Sequence, residues 1–184
     1  MRHLLHFLLP LAVGVSGVGA HAADAPAADR IGALPVVKNW TAPNYKMLSQ
    51  ALVEETFAKH PELQSLTLQG VPPGFQGSVK STMFAGTFPE RIGKMSSDLD
   101  VLVVEKGYTI LDPRWNMKDT PPKVTILIPL RDKAQQNVGL AVVVFKHPSG
   151  ATKTEKEYFL AAATIRDELA ARIPSHAAMF APAP

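Results

Sequence analysis

The stretch from Tyr108 to Lys123 gathers the side chains best suited to holding a small molecule. Asp112-Pro113-Arg114-Trp115 sets a carboxylate, a guanidinium and an indole where an apolar segment gives way to a loop. A guanidinium grips a carboxylate through two parallel hydrogen bonds, and an indole offers a flat wall or a face for a cation. Polar groups converging at the edge of an apolar scaffold are what a small-ligand site needs. Arg114 is therefore expected to anchor an anionic group, with Trp115 and Tyr108 lining the pocket. The competing reading is a surface loop whose Trp packs on the core and whose Arg is solvated.

Catalytic chemistry finds fewer parts. The chain has no GxSxG, no HExxH and no calcium loop. Gly86 and Gly93-Lys94 suggest a phosphate loop, but six residues separate the glycines instead of four, and Met95 stands where a metal-binding hydroxyl belongs. His60, His147 and His176 show no metal-ligand spacing, and His60 near a helix end is more simply a favourable dipole contact. One histidine as an axial haem ligand is the cofactor alternative, without any CxxCH for covalent attachment. Asp98 and Asp100 suit a cation or a ligand amine, although carboxylates in a first helical turn ordinarily offset the helix dipole. The expectation is a domain that is not an enzyme and carries no metal or cofactor.

These residues need a frame. Asn44 is placed to cap a helix running to about Lys59, ended by Pro61. Leu63–Gln69 alternates like a half-buried strand, and Gln76–Phe84 follows as a less regular one. The span 97–106 is ambiguous. Val101-Leu102-Val103-Val104 favours a strand, while Ser97 with Asp100 imitates a capping box and Gly107 suits a helix end. We read it as a short helix. Tyr108–Asp112 is a strand, and the apolar runs Val124–Leu130 and Val138–Lys146 are central strands joined as a hairpin. Thr154 and Glu157 form a capping box for a helix to about Ile173, with Tyr158, Ala162, Ile165, Leu169 and Ile173 as its apolar stripe. Strands in a run with helices at either end imply an α+β fold on an antiparallel sheet of about five strands.

Arg2, the apolar run Leu4–Val18 and the ending Ala20-His21-Ala22 form a cleavable signal, cut after Ala22 or Ala23. The run is too short and glycine-rich for the roughly 20 apolar residues of a membrane anchor. The expected organisation is a signal (1–22), an Ala/Pro-rich spacer (23–43), one domain (44–174) and a flexible tail (175–184). The protein is then periplasmic or secreted, with no membrane span after cleavage. With no cysteine, neither disulfides nor a lipid anchor is available. The net charge of +3 comes from 19 basic and 16 acidic side chains mixed along the chain. Such a balance gives no electrostatic case for nucleic acid.

Several pieces in order resemble a known family. They are Glu54-Glu55-Thr56-Phe57-Ala58-Lys59-His60-Pro61, the run from Arg91 to Asp100 with Gly107 after it, and Ile128-Pro129-Leu130-Arg131-Asp132. Val138-Gly139-Leu140-Ala141-Val142 and Ile165-Arg166-Asp167-Glu168-Leu169 follow. The set is similar to stand-alone periplasmic proteins with a Cache-like (extracytoplasmic PAS-like) sensor domain. The resemblance implies a PAS-like sheet with a long helix on one face and a pocket on the other. It also implies a small ligand such as a carboxylate or an amino acid. Asp132 becomes a ligand contact on this reading, although by itself it reads first as a turn residue. The chain departs from the pattern in lacking the hairpin glycine after Asp132 and in having Arg114 and Trp115 adjacent. The function expected is a non-catalytic small-ligand sensor signalling through a separate partner. The alternative is a ligand-free accessory protein that binds a membrane or periplasmic partner.

Overall fold

The structure is a computed structural model that describes residues 36–75, 81–113 and 122–184. Among the described residues the order is α1 (Leu48–Lys59), β1 (Leu63–Gly70), β2 (Thr82–Gly86), α2 (Asp98–Lys106), β3 (Ile110–Pro113), β4 (Lys123–Arg131), β5 (Asn137–Lys146) and α3 (Glu155–Ala170). The strands form one antiparallel sheet in the order β2-β1-β5-β4-β3. This is the α+β, PAS-like architecture expected from the sequence. The signal residues, Arg114 and Trp115 lie outside the described residues.

Side-chain alternation gives the sheet two different faces. Val124, Ile126, Ile128 and Leu130 of β4, with Val143 and Phe145 of β5 and Leu66 and Leu68 of β1, are fully buried in the main core. There they meet Leu52 and Val53 of α1 and Tyr158, Ala162, Ile165 and Leu169 of α3. The opposite face carries Leu127 and Leu140, covered by Val103 of α2 in a smaller cluster. No helix among the described residues is long and apolar enough to cross a membrane.

Local chemistry decides the helix ends. The backbone N–H of Asp100 donates to Ser97 Oγ at 3.3 Å, and Ser97 N–H donates to Asp100 Oδ2 at 2.8 Å. Gly107 closes α2 in the left-handed conformation at φ 71°. That reciprocal cap, worth about 1 kcal/mol, makes 98–106 a helix despite its valines. Thr154 and Glu157 cap α3 in the same way, at 3.3 and 2.7 Å.

Three expectations are corrected at the chain ends. The first helix starts at Leu48, with Met47 and not Asn44 at its cap position. The reason is the C-terminal segment, which is not a loose tail. Leu48 N–H donates to Ala181 O at 2.9 Å and Ala183 N–H to Lys46 O at 2.8 Å, so residues 46–48 are held extended. Met179 is fully buried, and the Phe180 ring lies 4.8 Å from that of Phe84 and 6.2 Å from that of Trp40. The last part of the expected spacer is also tied down, because Val37 and Asn39 pair with Met95 and Gly93.

α1 and α3 are joined through His60. Its Nδ1 lies 3.0 Å from Glu62 Oε1 and its Nε2 lies 3.1 Å from Glu168 Oε2. Burial alone would lower the imidazole's pKa. The hydrogen bonds and charges of Glu168 and Glu62 outweigh it, and the pKa stands above its ordinary value. A raised folded pKa stabilises fully below the unfolded value of about 6.5 and is lost as pH rises through the folded pKa. Both carboxylates are 44% exposed, so each pair contributes only on the order of 0.5 kcal/mol after screening. The melting temperature of the wild type should therefore exceed that of His60→Ala by more at pH 5.5 than at pH 8.5. A gap that is constant across this range would show that the His60 charge does not act.

Candidate functional site

The face of the sheet opposite α1 and α3 is only partly covered by α2. On the uncovered part the cross-strand row reads Thr125, Val144 and Ser65, bordered by the row Leu127, Val142 and Thr67 where the cover of α2 begins. Above them passes the connection from β2 to α2, which holds the short 3₁₀ turn Pro89–Arg91. Between sheet and connection lies a cavity of about 310 Å³. That is at the lower end of the range usual for small-ligand sites. Its floor is Gln64, Ser65, Thr67, Gln69, Thr125, Val142 and Val144, and its roof includes Phe88, Arg91, Lys94 and Met95.

The roof is held in place by backbone pairing. Gly93 N–H donates to Met83 O at 2.7 Å and Met83 N–H to Lys94 O at 2.9 Å, so 93–95 lies along the edge of β2. Ser96 Oγ donates to Gln69 Oε1 at 2.6 Å, which ties the end of the roof to the floor. Gly93 has φ 89°, and a Cβ there would run into the Trp40 carbonyl oxygen, so only glycine fits this crossing.

The electrostatics of the cavity are one-sided. Among the described residues, Arg91 and Lys94 from the roof and Lys123 from the sheet line it with one carboxylate, Asp100. Asp100 already accepts from both Ser97 N–H and Ser97 Oγ, each at 2.8 Å. The Arg91 guanidinium lies 5.4 Å from the centre of the Phe88 ring. Gln64 Oε1, beside the floor, is buried without a hydrogen-bond partner among the described residues. A buried acceptor of this kind is uncommon and calls for a donor. Cations, neutral hydrogen-bonding groups and the apolar Val142, Val144 and Met83 together suit a small organic anion.

Of the residues singled out in the sequence, Arg114 and Trp115 lie outside the described residues, and Tyr108 and Asp132 do not line this cavity. Tyr108 is 56% exposed in the connection between α2 and β3. Asp132 is buried, and its Oδ1 accepts from the N–H groups of Ala134 and Gln136, each at 2.9 Å. It builds the β4–β5 turn, with Gln135 at φ 62° taking the left-handed position where a glycine is usual. Asp132 and Val124, the partner of Pro113, stand near opposite ends of β4. Eight residues of strand, roughly 26 Å, therefore separate Asp132 from Pro113.

The histidines are engaged elsewhere. His60 faces its two glutamates, His147 Nδ1 lies 2.9 Å from Tyr158 Oη, and His176 Nε2 lies 2.9 Å from Val71 O. Burial pushes the Tyr158 phenol's pKa up. Among the described residues, no group of three or more His, Cys, Asp or Glu side chains is arranged to hold a metal ion.

The cavity residues were present in the sequence without a recognisable spacing. Lys123 closed the stretch singled out for ligand binding without a role of its own, Thr125 sat in a run read as apolar, and Arg91 and Lys94 sat in a segment that resembled a family motif but matched no chemistry. Only the alternation Ser65, Thr67, Gln69 pointed at this face.

No family model matches the chain, and no curated protein matches it. Among solved structures it is similar to a type II free methionine-R-sulfoxide reductase from Thermoplasma acidophilum. The match covers 66% of this chain and 88% of that one, at 12% identity and a TM-score of 0.42. The expectation that the chain is not an enzyme is corrected on this finding, because a similar structure is that of a reductase, and the non-catalytic reading is withdrawn. A likeness this distant carries no argument about a reaction or a substrate.

Proposed function

We propose that the chain is an extracytoplasmic small-ligand sensor of the Cache-like kind, signalling through a separate protein partner, with its ligand held between sheet and roof. The observation that carries this reading is the cavity of about 310 Å³ faced by Arg91, Lys94 and Lys123. Among the described residues, Arg91 and Lys94 of the roof give the cavity a cationic side that favours an anionic guest, and a small carboxylate or amino acid fits both the charge and the size. The anchor expected at Arg114 and Trp115 lies outside the described residues, and the reading rests on Arg91, Lys94 and Lys123.

Differential scanning fluorimetry with acetate, succinate, L-malate and L-glutamate, and L-lysine as the cationic control, tests the proposal. A ligand at 100 times its dissociation constant stabilises by about 2.7 kcal/mol, a rise in melting temperature of roughly 10 °C for a domain this size. Arg91→Ala should weaken the responding anion about tenfold, the loss of one charge-assisted hydrogen bond. A response to L-lysine alone, or none to any anion, would overturn the proposal.

A further inference from the structure

We infer that the N-terminal arm reports on the cavity, because the strand that roofs the cavity is the same strand that holds the arm. The inference rests on the cavity being a ligand site. The roof strand 93–95 is paired on both edges. On one side it meets β2, through Gly93 N–H to Met83 O and Met83 N–H to Lys94 O. Thr82 Oγ1 adds a hydrogen bond to Lys94 O at 3.1 Å. On the other side it meets the arm, through Met95 N–H to Val37 O and Asn39 N–H to Gly93 O, both 2.9 Å, with Lys38 opposite Lys94 in an antiparallel bridge.

Residues of this segment line the cavity, Lys94 and Met95 among them, as does Arg91 one turn earlier. A guest in the cavity therefore touches the strand whose backbone secures the arm. An anion drawing Lys94 and Arg91 towards the sheet pulls the roof onto it, and a packed guest adds contacts to Met95. Either way the roof opens less often, and the arm bonded to it opens less often too. The tight crossing at Gly93 makes the link stiff, since the Trp40 carbonyl sits where any side chain would be. By linkage the effect runs both ways, and loosening the arm weakens the guest.

Hydrogen exchange of the Asn39 and Met95 amides reads the coupling directly. Val144→Phe is the first probe, since it fills the cavity from the floor without any ligand. Thr125→Phe, on the neighbouring strand, does the same if the first variant does not fold. Exchange at Asn39 and Met95 should slow by about fivefold, while the Lys133 and Gln135 amides of the β4–β5 turn keep their rates. Succinate, L-malate or L-glutamate, whichever binds the wild type, should give the same pattern. Unchanged or faster exchange at Asn39 in the filled variant overturns the coupling and leaves the ligand reading standing. A slowed arm in the filled variant beside a flat carboxylate panel overturns the ligand reading and leaves the coupling standing.

Discussion

Replacing Gly139 with alanine is expected to cost about 3 kcal/mol, a severe loss for one methyl group. Gly139 lies near the start of β5 at φ 147°, a conformation that side chains rarely adopt, and a Cβ there would run into the Gln69 carbonyl oxygen of β1. That oxygen is backbone in the sheet and cannot swing aside. The register between β4 and β5 shifts between Leu130 and Arg131, opposite this glycine, so the crowding is built into the pairing of three strands. Gly150→Ala is the control. Gly150 also has positive φ, at 82°, but faces open space, and should cost only about 1 kcal/mol. Urea unfolding of the two variants separates conformation from collision, and equal losses would rule out the collision.

Phe180→Ala should cost about 3 kcal/mol, and ending the chain after Ser175 should cost more. Phe180 is 9% exposed among Phe84, Trp40 and His176, and its neighbour Met179 is wholly buried. Truncation also removes the backbone bonds that end at Lys46 and Leu48. If the shortened chain melts with the full-length protein, the closing segment is not part of the core.

The sequence announced the frame better than the site. Alternation in β1 and the apolar runs of β4 and β5 are local signals, and each strand lies where its pattern placed it. The two capping boxes were readable because Ser97 and Asp100, or Thr154 and Glu157, act within a single turn. What failed depended on distant partners. Asn44 looked like a cap until residues 181–183 were seen pairing with 46–48. Met179 and Phe180 looked like stray apolar residues in a polar tail because their pocket comes from Trp40 and Phe84. The cavity was hidden for the same reason. Arg91, Lys94 and Lys123 are scattered along the chain and meet only because β4 lies two strands from β1 and the roof folds back over both. Asp132 shows the reverse case. Its reading as a turn residue was local and agrees with its hydrogen bonds, while its reading as a ligand contact came from a family pattern.

The rings of Trp40 and Phe180 touch edge to face, and the Tyr45 hydroxyl donates to the Phe180 carbonyl at 3.0 Å. The path from one ring to the other is thus nearly a closed circuit, and a force on the described residues on either side of it loads the same aromatic pair.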